Sequence, residues 1–310
     1  MINEQEANLK KLPLTSDYVF KRIFGQEENK EALKDFLESI LKIKIEKVEI
    51  NNPEIPKDFY DSKYGMLDLK VTLDNQIIVN VEMQVQNQHN IEQRSTYYMT
   101  SVYSQQIGES EPYTNCKKVI VINILNFNYY RRNSYHSIAR MKFEKNNQEE
   151  YVDMGYKNED EYATDYIEMH IIELQKFKKK NPKIDTKLEQ WLWLFIGGEE
   201  EKMRRISKKN REIEKINRKL ASMSLSREER NNYEFRKKAI LDEVSAIDYA
   251  TKKGLAQGIE QGIEQGKEQG IKESAQSIAK EMLKKNMDIN LIMELTKLTK
   301  EEIEKIKKDI

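Results

Sequence analysis

Two stretches of strict alternation stand three residues apart. Residues 66–73 read Met-Leu-Asp-Leu-Lys-Val-Thr-Leu, residues 77–85 read Ile-Ile-Val-Asn-Val-Glu-Met-Gln-Val, and Asp74-Asn75-Gln76 joins them. Period two marks strands with one buried face, and two such runs around a short polar break read as a β-hairpin. A three-residue loop stacks Leu67/Met83, Leu69/Val81, Val71/Val79 and Leu73/Ile77 on one apolar face. It leaves Asp68/Glu82, Lys70/Asn80 and Thr72/Ile78 on the other. A two-residue loop on Asp74-Asn75 would set Leu67 against Glu82, because a slip of one residue exchanges the faces. The apolar pattern therefore selects the three-residue loop, with Asn75 or Gln76 in the left-handed position and Asn the better suited.

That register sets the carboxylates of Asp68 and Glu82 opposite each other, with Gln84 further along the same face. Like charges roughly 5 Å apart on a sheet are destabilising unless compensated. A divalent cation with oxygen ligands compensates such a pair. Lys70, on the same face, is the competing compensator, and with it the pair is only a solvated edge.

The chain has 310 residues, 34% charged and 38% hydrophobic, enough for a large core with much solvated helix. No apolar run reaches the roughly 20 residues of a membrane helix, and the first residues resemble neither a secretory signal nor a transit peptide. One cysteine, Cys116, excludes a disulfide framework. A cytoplasmic protein with no membrane contact is expected. Lys plus Arg and Asp plus Glu balance at 53 each, so attraction to nucleic acid would have to come from local basic runs such as 176–180 and 202–219. Taken alone, each run reads as a solvated helix face.

Around the hairpin, Ser16 or Asp17 can cap a helix through Phe24, and a second amphipathic helix is predicted over 31–41. A strand over 44–50 and a loop over 51–65 lead into the hairpin. A helix over 89–106 carries Arg94 and Tyr98 one turn apart. Residues 118–127 form a continuous apolar run suited to a central strand, and 165–174 a further strand. The expected fold is α/β, a mixed sheet flanked by helices and followed by a helical C-terminal region. The predicted organisation is a core over 1–182, a helical region over 183–253, a Gly-rich tract over 254–270, and a three-helix module over 271–310. Glycines 254, 258, 262, 266 and 270 suit either a flexible linker or a self-association helix, each costing about 1 kcal/mol against Ala in a helix. In the last module Asp288 is a predicted cap, and Thr299 with Glu302 a capping box. The module could read DNA as a helix-turn-helix, but without a dense basic recognition helix it favours a protein contact or a homodimer through the C-terminal helices. His89, His136 and His170 have no ligand spacing, which argues against zinc. Glu173 reads as structural.

Several segments in order resemble the Rpn recombination-promoting nucleases, also called PD-(D/E)XK nuclease family transposases. They are Asp17-Tyr-Val-Phe-Lys-Arg-Ile-Phe24, Leu67-Asp68-Leu69, Val81-Glu82-Met83-Gln84, Arg94-Ser-Thr-Tyr-Tyr98, the 119–127 strand, Ile172-Glu-Leu-Gln-Lys-Phe177 and the Gly tract. The resemblance covers nearly the whole chain and implies a restriction-endonuclease-like core that cleaves DNA in recombination or mobile-element biology. Asp68 then corresponds to the first acid of the motif, Glu82 to the second, and Gln84 to the position often held by Lys, with Asp17 as an N-terminal accessory acid. By the same resemblance Asp68 and Glu82 hold Mg²⁺, with Mn²⁺ as an alternative, and Gln84 joins them as a catalytic residue. Phosphodiester hydrolysis suits hard carboxylate ligands, whereas Gln84 takes up no proton and can orient a water or phosphate but not serve as base. Arg94 could clamp a phosphate and Tyr98 contact the backbone, against a reading as helix surface and core packing. The alternatives are a nuclease-fold DNA-binding protein with little or no activity, and a helical self-association protein.

Overall fold

The computed structural model describes residues 11–51, 69–142 and 162–308. Ser16, in extended backbone, precedes α1 (Asp17–Phe24), and a short 3₁₀ turn leads into α2 (Lys30–Leu41), which ends on left-handed Lys42. Strands β1 (Val48–Ile50), β2 (Leu69–Leu73) and β3 (Ile77–Gln84) follow, then α3 (Ile91–Ser104), β4 (Lys118–Leu125), β5 (His136–Lys142) and β6 (Tyr162–Glu173). The six strands form one sheet in the order β1-β2-β3-β4-β6-β5. β4 runs parallel to both β3 and β6, and the remaining pairs are antiparallel, so the sheet is mixed.

The hairpin register agrees with the alternation wherever it is described: Leu69 pairs with Val81, Lys70 with Asn80, Val71 with Val79 and Leu73 with Ile77. The expected pairs of Leu67 and Asp68, and the 51–65 loop except for Asn51, lie outside the described residues. Asn75 is left-handed (φ 56°), and so is Asp74 (φ 48°), which the sequence did not suggest. The Asp74 carboxylate explains its conformation: Oδ1 accepts hydrogen bonds from the backbone N–H of Glu46 (3.0 Å) and Lys47 (2.6 Å), tying the hairpin turn to the approach of β1.

Side-chain alternation gives the sheet two different faces. Leu69, Val71, Val79, Val81, Ile122 and Ile124 are buried in a core shared with α1 and α2, and α5 (Lys187–Ile196) and α7 (Arg211–Leu225) close it. Each large apolar side chain buried there contributes about 1.5–3 kcal/mol. Phe36 lies 5.5 Å from Phe24, 5.5 Å from Trp191 and 5.2 Å from Phe195, ring centre to ring centre. The Trp191 indole N–H donates to Asp35 Oδ2 at 2.9 Å, so the buried ring keeps a polar partner. A capping box of Thr186 and Glu189 opens α5. On the opposite face, Met99 of α3 packs on Val119 and Val121, while Ile91 packs near Leu125 and Ile171.

After β6 the chain is helical: α4 (Leu174–Lys180), α5, α6 (Glu200–Lys209), α7, α8 (Arg227–Lys284), α9 (Ile289–Thr296) and α10 (Lys300–Lys308). By compactness it divides after Lys237. All five tract glycines lie inside α8, and a Cβ built on any of them meets nothing within 4 Å. The residues between them are good helix formers, Gln, Glu, Lys and Ala among them, which offsets part of the glycine cost. In the terminal unit Ala279 and Met282 of α8 bury against Ile292, Leu298 and Ile303. Asp288 Oδ1 accepts from the N–H of Asn290, and Thr299 and Glu302 exchange side-chain-to-backbone bonds, as their spacing predicts. Strand β5 is the element that sequence reading missed, since the 136–142 sequence shows no apolar alternation.

Candidate active site

Alternation along β3 brings Asn80, Glu82 and Gln84 to the face that α3 covers. Glu82 stands between two amides. Asn80 Nδ2 donates to its Oε1 at 3.1 Å and Gln84 Nε2 to its Oε2 at 2.6 Å. The carboxylate is thus fixed from both ends of its own strand, and at 3% exposure it is shielded from water. The parallel partner strand sets Asn123 beside Glu82. From α3, Arg94 reaches over so that its Nε stands 3.4 Å from Glu82 Oε2, and its guanidinium lies 5.5 Å from the centre of the Tyr98 ring. Ser95, the next residue, donates its hydroxyl to Asn123 Oδ1 at 3.2 Å.

Three buried polar atoms around Glu82 have no hydrogen-bond partner among the described residues: Asn80 Oδ1, Asn123 Nδ2 and Arg94 Nε. A buried unsatisfied group costs about 1–3 kcal/mol, so such atoms are uncommon, and three of them lie around this one carboxylate. The sequence signal for Asn123 is a lone Asn amid the apolar residues 119–125, and for Asn80 its place two residues before Glu82 on the same face of β3.

The other expected residues fall in different places. Asp68 lies outside the described residues, so its pairing with Glu82 rests on the sequence register. Lys70, the competing partner for the acids, is opposite Asn80. Asp17 is the first residue of α1, after Ser16, and its Oδ2 accepts two bonds from the Arg236 guanidinium at 2.8 and 2.5 Å. This ties α1 to α8. Glu173 is fully buried. Its Oε1 accepts from the backbone N–H of Tyr129 (2.6 Å) and Tyr130 (3.2 Å), and its Oε2 from Lys176 Nζ (2.5 Å), which fixes the β4–β5 connection.

A second polar cluster, not foreseen, lies on the core face near β5. His136 and His170 are far apart in sequence, but antiparallel pairing of β5 with β6 brings His136 Nε2 within 2.9 Å of His170 Nδ1. His170 Nε2 is 2.6 Å from Glu168 Oε1, and Glu168 Oε2 accepts from Arg140 Nε (2.8 Å) and Lys118 Nζ (2.9 Å). An ionised carboxylate only accepts, so His170 donates to Glu168 from Nε2, and in a neutral His170 ring Nδ1 accepts from His136. Burial opposes the charge on Glu168, but the bonds from His170, Arg140 and Lys118 outweigh it and hold the carboxyl well below the usual range. Burial, with the nearby charges of His170 and Lys42, pushes His136 down to about 4. Among the described residues, no three His, Cys, Asp or Glu side chains gather as metal ligands.

The mixed six-stranded sheet flanked by helices is consistent with a nuclease-class fold, and comparison with protein families agrees. Residues 14–250 match the family described as PD-(D/E)XK nuclease family transposase, and the chain belongs to that family. Residues 272–308 match a second description, the C-terminal HTH domain of the Rpn/YhgA-like nuclease family. The terminal module, for which the sequence favoured a protein contact, is thus similar to a helix-turn-helix domain. Comparison with curated proteins and with solved structures gave no match. No helix among the described residues is long and apolar enough to cross a membrane.

Proposed function

We propose that this chain is a Mg²⁺-dependent DNA endonuclease, also served by Mn²⁺, that hydrolyses phosphodiester bonds in DNA recombination or mobile-element biology in the cytoplasm. The observation that carries the reading is Glu82, a buried carboxylate clamped by Asn80 and Gln84 amid three unsatisfied polar atoms, in a member of a nuclease family. The donors fit a hard cation: the Glu82 carboxylate and the unsatisfied Asn80 carbonyl oxygen are both hard oxygens. Asp68, by sequence register and family resemblance, is the second carboxylate.

When bound beside Glu82, a divalent cation would supply polarisation of the phosphate and a more acidic water. The protein supplies positioning. Gln84 stays neutral, holds Glu82 Oε2 and presents an amide toward the substrate side, so it orients and takes no proton. Arg94 is partly exposed, and its buried Nε lacks a full hydrogen bond. A phosphate bound there gains a fork-shaped cation already held in place by Tyr98. Asn123 Nδ2 offers a neutral donor beside Glu82. Asp17 acts as an accessory residue through its bond to Arg236, holding α1 in position.

The proposed division of labour assigns catalysis to 1–182 and support to the helices of 183–253. The glycine tract of 254–270 links these to the terminal helix-turn-helix module of 271–310, which contacts DNA. Along α8, Leu255, Ile259, Ile263 and Ile271 are exposed and supply the surface for a homodimer. Light scattering of an I259D/I263D variant tests that part, a mass unchanged from wild type counting against it.

A second reading draws on Gln84, which replaces the lysine of the motif: a nuclease-fold protein that binds DNA without cutting it. Incubation of purified protein with supercoiled plasmid, in Mg²⁺, Mn²⁺ or chelator, separates the two. Metal-dependent nicking supports the endonuclease, and retention without product under every condition supports the second reading.

A further inference from the structure

We propose that Asn80 is a metal ligand in its own right, its carbonyl oxygen adding a neutral donor beside the Glu82 carboxylate. The inference rests on the metal-site reading above and extends it to a residue outside the Asp, Glu and Gln motif positions.

Asn80 is 2% exposed, and its strand neighbours Val79 and Val81 are wholly buried. Its amide is not free to rotate, because Nδ2 is committed to Glu82 Oε1 at 3.1 Å. Both amide atoms share one carbon, so fixing Nδ2 on the carboxylate also fixes the direction of Oδ1. That oxygen has no donor among the described residues. An apolar residue of similar size would fill the position without the penalty of about 1–3 kcal/mol for a buried unsatisfied carbonyl. Asn123, across the strand pair, presents the opposite atom: Ser95 occupies its Oδ1 and Nδ2 is left over. An N–H₂ group repels a cation and suits a phosphate oxygen, whereas a carbonyl oxygen suits the cation. The two amides therefore divide the site, acceptor at 80 and donor at 123.

Hard divalent cations take amide carbonyls readily as ligands. Beside the Glu82 carboxylate, a neutral oxygen would fill a coordination position without adding repulsion toward an incoming phosphate. Arg94 balances the remaining negative potential at Glu82.

Isothermal titration of Mn²⁺ into the full-length protein, without DNA, tests the proposal. N80L removes both amide atoms and is expected to weaken Mn²⁺ binding by at least about tenfold, in line with the cost of disturbing metal-site partners. N80D separates ligation from mere support. A carboxylate there cannot donate to Glu82, but it can bind the ion, so affinity equal to or above wild type is expected. Loss of binding in N80D, or wild-type affinity in N80L, overturns the proposal. E82Q in the same titration isolates the parent reading: if it binds like wild type, or if wild type binds no Mn²⁺, the metal site itself is wrong and the proposal goes with it. Thermal unfolding accompanies each variant, and N80S replaces N80L if the latter does not fold.

Discussion

Gln84 Nε2 donates to Glu82 Oε2 at 2.6 Å, from two residues further along the same strand. The bond fixes the carboxylate, and it uses the residue that the proposed function places where the nuclease motif often has lysine. A neutral donor at that distance aligns the acid without competing for a cation, whereas an ammonium would neutralise it. Gln84→Ala should lower metal-dependent cleavage by about 10–100-fold, the usual effect of removing a partner of a metal ligand, with little change in melting temperature. Steady-state nicking rates at saturating Mg²⁺ check this, and an unchanged rate removes Gln84 from the site.

Arg94 joins α3 to the sheet through Glu82 and stacks near Tyr98. If its guanidinium receives a phosphate, Arg94→Ala should weaken DNA binding across sequences and reduce the salt dependence by about one ion. Filter binding over a range of salt concentrations measures the slope. An unaltered slope assigns Arg94 to packing alone.

The His136–His170–Glu168 chain carries a pH signature. His136 titrates near 4 in the fold against about 6.5 when unfolded, so below pH 6.5 the unfolded chain takes up a proton that the folded one refuses. Stability is then full above about pH 6.5 and declines toward pH 4. Glu168, also depressed, adds a further loss as pH falls below its unfolded value of about 4.5. Denaturant midpoints between pH 4 and 7 should fall for wild type, and His136→Asn should flatten that fall by about one proton. A profile identical in the variant contradicts the assignment.

Glu173 is buried, and its partners are the backbone N–H of Tyr129 and Tyr130 and the Lys176 ammonium. Glu173→Ala leaves a largely buried cation and two N–H groups without their acceptor. It should cost about 3–5 kcal/mol in chemical unfolding. Stability within about 1 kcal/mol of wild type would show that water replaces the carboxylate.

The hairpin was legible because apolar alternation admits one register: Leu69, Val71 and Leu73 have only Val81, Val79 and Ile77 as matching partners. The placement of Glu82 and Gln84 on one face follows from period two alone. What escaped the sequence depends on contacts between distant elements. Arg94 reaches Glu82 only because α3 crosses the α3-covered face at that height, and no local pattern encodes a crossing. His136 meets His170 through the pairing of β5, whose sequence His-Ser-Ile-Ala-Arg-Met-Lys has too few apolar residues to announce a strand. The glycine tract left linker and helix open, because glycine cost and the surrounding helix formers nearly offset each other; in the structure it is helical. Asn123 is passed over inside a run that reads as apolar, and Asn80 reads only as the partner of Lys70; their unsatisfied atoms emerge only once their other atoms are seen to be engaged.

In the proposed function, the carboxylate held between Asn80 and Gln84 serves metal-dependent DNA cleavage. Nicking of supercoiled plasmid by wild type and by Glu82→Gln, each with Mg²⁺ and with chelator, tests it most directly. Glu82→Gln keeps the shape of the side chain while removing its charge. Nicking by wild type with Mg²⁺, none with chelator, and at least a hundredfold loss in the folded variant are expected; equal nicking by both proteins would contradict this function.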